Sequence, residues 1–216
     1  MLTMNQLKNM ENLGFYYLDY ILQANGAYKN QCFYAISKGG EFVIKESVYA
    51  ASAIKTLQKE EGLEGVQLAM DLNVSPQLIS NIKHGHRKLQ KDIAKASLTT
   101  YDSPMYAMEL LYEFSEGYTA PVLKGKAIEH HRLALEEFAI QQTREVIQIL
   151  EEVSLLKPPN ETSEEEKKRI REIIYELLDA ETAIANLKAI LASEYGISLK
   201  KCIKDRKPYW KSKGWI

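Results

Sequence analysis

What most constrains this chain is the regular interruption of its apolar periodicity between residues 47 and 117. Val48, Ala51, Ile54 and Leu57 recur at helical spacing and stop at Gly62. A second run occupies 66–72 and stops at Asn73; a third occupies 76–84 and stops at Gly85; a fourth spans 89–98. Ser103-Pro104 then supplies an N-cap with proline at the first helical position, opening a run through Met105, Met108, Leu111 and Tyr112. Recurrence every three or four residues puts the apolar side chains on one helix face. Five short helices in so brief a stretch can hide those faces only against one another, which predicts a compact bundle of local contacts.

The flanking sequence reads differently. In residues 1–46, Leu7, Met10, Leu13, Tyr17, Leu18, Ile21 and Leu22 fall at helical spacing up to Asn25-Gly26. Residues 32–36 and 42–44 then flank Ser37-Lys38-Gly39-Gly40, which fits a small β-hairpin better than a short helix. Gly117 and Pro121 mark a linker, after which Leu135, Phe138, Ala139, Gln142, Val146, Ile149, Leu150 and Val153 share one face of a long helix. Pro158-Pro159-Asn160 breaks it, and Ser163 with Glu166 forms a capping box for the next. There Ile170, Leu177, Ile184 and Leu191 alternate with Ile173, Ala180 and Leu187 in heptad spacing, up to the stop signal Tyr195-Gly196.

Residues 122–196 thus read as a long antiparallel helical hairpin. Two helices alone bury too little surface, so a partner for the remaining apolar face is expected. We expect a homodimer or higher homo-oligomer formed through Ile170, Ile173, Leu177, Ile184, Leu187 and Leu191, with 133–153 as the facing helix. The fold class is mainly α: an N-terminal tyrosine-rich extension (1–46), a helical bundle (47–117), the hairpin, and a basic aromatic tail (197–216).

The formal charge is only −1 over 216 residues, which excludes a uniformly basic coat, but the charge is unevenly placed. Residues 76–98 carry Lys83, Arg87, Lys88, Lys91 and Lys95 against Asp92, a net of +4. Residues 136–181 hold 13 acids and 6 bases, net −7, and residues 200–213 hold seven bases and one acid, net +6. No run approaches the roughly 18 apolar residues of a membrane span, and the first residues lack the basic flank and apolar core of a signal peptide. Two cysteines, Cys32 and Cys202, suit a reducing cytoplasm and provide no zinc spacing.

Adjacent His130 and His131 point to different faces of a helix and make a poor metal pair. There is no glycine-rich phosphate loop, spaced carboxylate pair or Ser-His-Asp arrangement, so neither catalysis nor a cofactor is expected. Tyr16, Tyr17, Tyr20, Tyr28 and Tyr34 lack interleaved cations and read as core or interface rather than a single-strand stacking surface. The tail, with Tyr209 and Trp210 among its cations, suits DNA-backbone contact, a docking peptide or a solubilising segment.

The sharpest local signal lies at 68–85. A helix ends at Asn73, a residue tolerant of positive φ; Val74 plugs the turn; Ser75 caps the next helix with Pro76 at its first position. Ile79 and Ile82 would face Leu68, Ala69 and Leu72, and the small Ala69 lets the two helices cross closely. That leaves Gln77, Leu78, Ser80, Asn81, Lys83 and His84 on other faces.

Residues 51–111 resemble the lambda-repressor-like, or Cro/XRE-type, helix-turn-helix family. The resemblance rests on Leu68-Ala69, Val74-Ser75, Ile79-Ser80 and Gly85-His86-Arg87, in the family's spacing without gaps. Asn73 stands where the family usually has Gly, Gly65 where a phosphate-touching polar residue is common, and Lys83 where an acid is frequent.

The resemblance implies that the second motif helix enters the major groove of DNA. Gln77 and Asn81 would then meet base edges and Leu78 a thymine methyl, while Ser80, Lys83, His84, His86, Arg87 and Lys88 would face phosphate. The implied function is a cytoplasmic, nucleoid-associated transcriptional regulator of bacterial or phage type, binding double-stranded DNA and no membrane. Two alternatives stay open: a helix-turn-helix protein of replication or mobile-element maintenance, and a protein-binding adaptor or antirepressor.

Overall fold

The computed structural model describes residues 34–37, 40–43 and 45–216. It is mainly helical, with eight α-helices among the described residues and two small antiparallel strand pairs. The helix expected within 7–22, Cys32, and the tyrosines before Tyr34 lie outside the described residues. Strand β1 (Tyr34–Ser37) pairs with β2 (Gly40–Val43), from Tyr34 opposite Val43 to Ser37 opposite Gly40, so this stretch is a β-hairpin.

Five helices follow: α1 (Ala51–Glu61), α2 (Gly65–Asp71), α3 (Pro76–Lys83), α4 (Lys91–Thr100) and α5 (Pro104–Phe114). Their apolar faces meet in one core containing Ile54, Leu57, Leu68, Ala69, Ile79, Ile82, Leu89, Tyr106 and Leu110, each no more than 1% exposed. Gly62 terminates α1 in the left-handed region at φ 65°, which glycine reaches without the steric cost other residues meet.

Two expectations about the first and fourth helices need correction. Val48 does not begin α1, and Leu89 does not begin α4. They lie opposite each other in β3 (Ser47–Val48) and β4 (Leu89–Gln90), with Ser47 opposite Gln90. Both apolar side chains reach the core from extended backbone, and the bridge is continued by Lys91 N–H donating to Glu46 C=O at 3.0 Å. This long-range pairing ties the entrance of the five-helix unit to the chain leaving α3, a connection no local periodicity encodes.

Ser103 occupies the N-cap position of α5, with Pro104 following, but its hydroxyl makes no cap bond. It donates instead to Glu60 on α1. Inside the core the Tyr106 phenol pairs with the Ser97 hydroxyl at 2.5 Å, and burial pushes that phenol up to about 12. The pair satisfies both hydroxyls where water cannot reach them.

Beyond Gly117 (φ 85°) the chain is pinned rather than a free linker. Lys124 Nζ donates to Glu109 at 2.5 Å, Ser52 at 2.8 Å and Thr56 at 3.1 Å, joining this segment to α5 and α1. On its other side Asn186, 1% exposed, accepts from Leu123 N–H at 3.0 Å and donates to Pro121 C=O at 2.9 Å. One buried amide thus replaces the backbone partners that an irregular strand of chain would lack.

Helix α6 (Arg132–Glu152) and helix α7 (Glu164–Glu194) lie side by side and antiparallel. Ion pairs mark both ends: Arg132 with Glu194 at 2.9 Å, and Arg169 with Glu152 at 3.3 Å. The capping box forms as the sequence predicts: Ser163 Oγ accepts from Glu166 N–H at 3.3 Å, and the Glu166 carboxylate accepts from Ser163 N–H at 2.7 Å. That bond, with Lys157 beside it, lowers the Glu166 carboxyl to about 2.

The heptad rows separate. Ile173 and Ala180 are buried and Leu187 half-buried, whereas Leu177, Ile184 and Leu191 are 46%, 48% and 36% exposed, and Ile170 is half-buried. The reason is that α7 packs against two neighbours within the chain, α6 and α5. It uses the small residues Ala183, Ala189 and Ala192 there, each buried, to let the neighbours approach. The expectation that both heptad rows face a second chain is therefore corrected: the Ile173 row is spent within the chain.

The segment read as a tail is also different. Residues Leu199–Ser212 form helix α8, capped by Ser198, whose hydroxyl accepts from Lys201 N–H. None of the described helices is long and apolar enough to cross a membrane.

Candidate nucleic-acid interface

The α2–α3 corner is built by local chemistry. Asn73 takes φ 52°, the left-handed conformation its short polar side chain tolerates. That turn lets Val74 N–H reach Ala69 C=O at 2.9 Å. Ser75 is extended at the N-cap, its hydroxyl accepting from Leu78 N–H at 3.2 Å, and Pro76 starts α3 where no amide donor is needed. Leu68, Ala69 and Leu72 of the first side meet Ile79 and Ile82 of the second within the core.

The remaining faces of α3 sort by exposure. Gln77 is exposed, and Ser80, Asn81 and Lys83 are half-buried. The Gln77 side-chain amide donates to Asn81 Oδ1 at 3.1 Å, so the two residues expected to read bases are held as a pair one helical turn apart. Leu78 is half-buried and packs against the core, so its side chain is largely committed to the bundle rather than extended for a methyl contact.

Past α3 the chain reverses through Gly85 at φ 74°. The Asn81 carbonyl accepts from both His86 N–H at 2.8 Å and Arg87 N–H at 3.2 Å, fixing the following loop to the end of the helix. His84, His86, Arg87 and Lys88 are all exposed. His84 Nδ1 sits 2.8 Å from Ser80 C=O, and the His84 and His86 rings stack with centroids 6.2 Å apart. These contacts order two imidazoles that isolated sequence positions would leave free to rotate.

Two features of this surface were not legible in the residue pattern. Lys88 Nζ lies 5.3 Å from the centroid of the exposed Tyr49 ring, which orients the cation without neutralising it. Lys91, counted among the cations of the basic island, is paired with Glu46 at 2.8 Å. The positive charge at this edge therefore comes chiefly from Lys83, Arg87 and Lys88.

His130 and His131 are exposed and lie before α6, where the His131 ring accepts from Leu133 N–H at 3.3 Å as an N-cap. Cys202 is exposed on α8. What the α3 edge offers chemically is a set of amide and imidazole hydrogen-bonding groups bordered by cations, a composition suited to phosphates and to base edges.

Compared with protein-family models, with curated proteins and with solved structures, the chain matches none.

Proposed function

We propose that α2 and α3 form a helix-turn-helix of the lambda-repressor-like kind, and that the protein is a sequence-specific regulator of transcription acting on double-stranded DNA. One observation carries the reading: α3 buries Ile79 and Ile82 while, among the described residues, Gln77, His84 and the loop of His86, Arg87 and Lys88 are exposed. A helix held in this way can enter a major groove without unfolding its support. In this role the Gln77–Asn81 pair meets base edges, and Ser80, Lys83, His84, His86, Arg87 and Lys88 set the position on phosphate.

The test begins with selection from a random pool of duplexes, followed by titration of Gln77→Ala and Arg87→Ala. Gln77→Ala is expected to lose about 1–3 kcal/mol of discrimination between the selected duplex and its variants. Arg87→Ala is expected to weaken binding to all duplexes alike and to flatten the log–log salt slope by about 0.9. Retention that is weak, salt-labile and unaffected by either change would point to the protein-binding adaptor instead.

Assembly follows from the same logic, since one small module reads one half-site and a dimer reads two. The exposed row Leu177, Ile184 and Leu191 supports a homodimer through α7. Leu177 and Ile184 line a shallow apolar groove with Val146 of α6 and Ala180. Sedimentation of Leu177→Glu/Ile184→Glu is expected to give monomer where the parent protein gives dimer; an unchanged dimer mass would dispose of this interface.

A further inference from the structure

Helix α8 carries a row of lysines that is largely without ion-pair partners among the described residues. Lys200, Lys204, Lys207 and Lys211 follow one another at four, three and four residues, so at 100° per residue they form a single stripe. Lys200 Nζ donates to Tyr101 C=O at 2.5 Å. Among the described residues, the other three have no ion-pair partner, although residues 136–181 of the same chain carry a net charge of −7. Like charges one turn apart repel, and Lys200 and Lys201 sit at the helix N-terminus, where the backbone dipole is also positive. An external polyanion would relieve all of these repulsions together.

The helix is held in a defined place. The Ser198 hydroxyl donates to Asp102, and Lys200 holds the neighbouring carbonyl of Tyr101. The Tyr101 phenol in turn donates to Asp71, the last residue of α2, at 2.5 Å. A single residue, Tyr101, therefore links the first turn of α8, through its carbonyl, to the end of α2 before α3, through its phenol. At its far end α8 is closed by Gly214 at φ 67° and by Trp215 N–H donating to Trp210 C=O at 3.0 Å.

The side away from the lysine stripe mixes cations with aromatic rings. The Arg206 guanidinium lies 3.7 Å from the Tyr209 ring centroid, Lys213 Nζ lies 5.7 Å from it, and Trp215 meets the same ring edge-on. Leu199 and Trp210 are half-buried. A helix whose apolar side is crossed by Arg206 and Lys213 has no continuous face to sink into a bilayer.

We infer that α8 is a second, sequence-independent contact to double-stranded DNA, with Lys204, Lys207 and Lys211 along the phosphate backbone. The choice of DNA as the polyanion rests on the reading of α3 given above. From Lys204 to Lys211 the helix advances about 10 Å, about three steps of the roughly 3.4 Å axial rise per phosphate of one strand, so the stripe is long enough to lie over several neighbouring phosphates.

The experiment compares the full chain with Lys204→Gln/Lys207→Gln/Lys211→Gln, titrated over a range of salt against a selected duplex and a random-sequence duplex. The inference expects the salt slope to flatten by about 2.7, three contacts at about 0.9 each, on both duplexes, with their affinity ratio unchanged. The Lys204→Arg/Lys207→Arg/Lys211→Arg variant should keep the parental slope, which separates lost charge from a damaged helix. An unchanged slope in the Gln variant overturns the inference, and so does charge-dependent pelleting with phosphatidylserine vesicles in place of any effect on DNA. If the parent protein shows no sequence preference but the Gln variant still loses slope, α8 stands as a DNA contact and the regulator reading fails. If preference persists and the slope does not move, the reverse holds.

Discussion

Ile82→Ala is expected to destabilise the protein by about 2–5 kcal/mol, the range for removing a large aliphatic side chain from a packed core. Ile82 is fully buried in the last turn of α3, the helix that packs against α1 and α2. The substitution removes three carbons from water-free surroundings and leaves a void that the neighbours close only in part. Because a domain's whole stability is about 5–15 kcal/mol, the change consumes a large share of it. The proposed function adds a second readout, since α3 is anchored chiefly by Ile79 and Ile82 and a loosened helix would present Gln77 and Asn81 in the wrong attitude. Urea denaturation followed by helical circular dichroism measures the first effect. Ile82→Val, which removes one methyl group, should cost about 0.5–1.5 kcal/mol. Equal midpoints for the parent and the alanine variant would mean that this side chain is not part of the core.

Asn186→Leu is expected to cost about 2–4 kcal/mol despite being nearly isosteric and more apolar. The amide makes three bonds, to Leu123 N–H, Pro121 C=O and, on its own helix, Thr182 C=O at 2.8 Å. The leucine side chain can replace none of them. Leu123 N–H and Pro121 C=O would be stranded beside a helix, and an unpaired buried backbone group costs about 1–3 kcal/mol. Hydrogen exchange gives a local reading alongside the denaturation midpoint: the Leu123 amide should exchange much faster in the variant. Unaltered exchange at Leu123 together with an unaltered midpoint would show that Asn186 does not clamp this segment. The position matters because the clamped residues connect α5 to the start of α6.

The parts of this molecule legible in its sequence are those set by residues within about four positions of one another. The turn at Asn73-Val74-Ser75-Pro76, the box of Ser163 and Glu166, the glycine stops at Gly62, Gly85 and Gly196, and the hairpin at Ser37–Gly40 all rest on local sterics or on a bond to a near neighbour. The apolar repeats likewise announced most of the helices, because a face that must be buried has to recur every three or four residues.

Tertiary structure alone decided which apolar faces met which. It put Val48 opposite Leu89, gave Asn186 to a segment more than sixty positions away, divided the heptad helix into a buried row and an exposed one, and attached α8 to Tyr101 and Asp102. A repeat pattern specifies that a side chain needs cover but not what covers it. That choice depends on the relative placement of whole helices, and the energies involved arise only when distant stretches of chain come together.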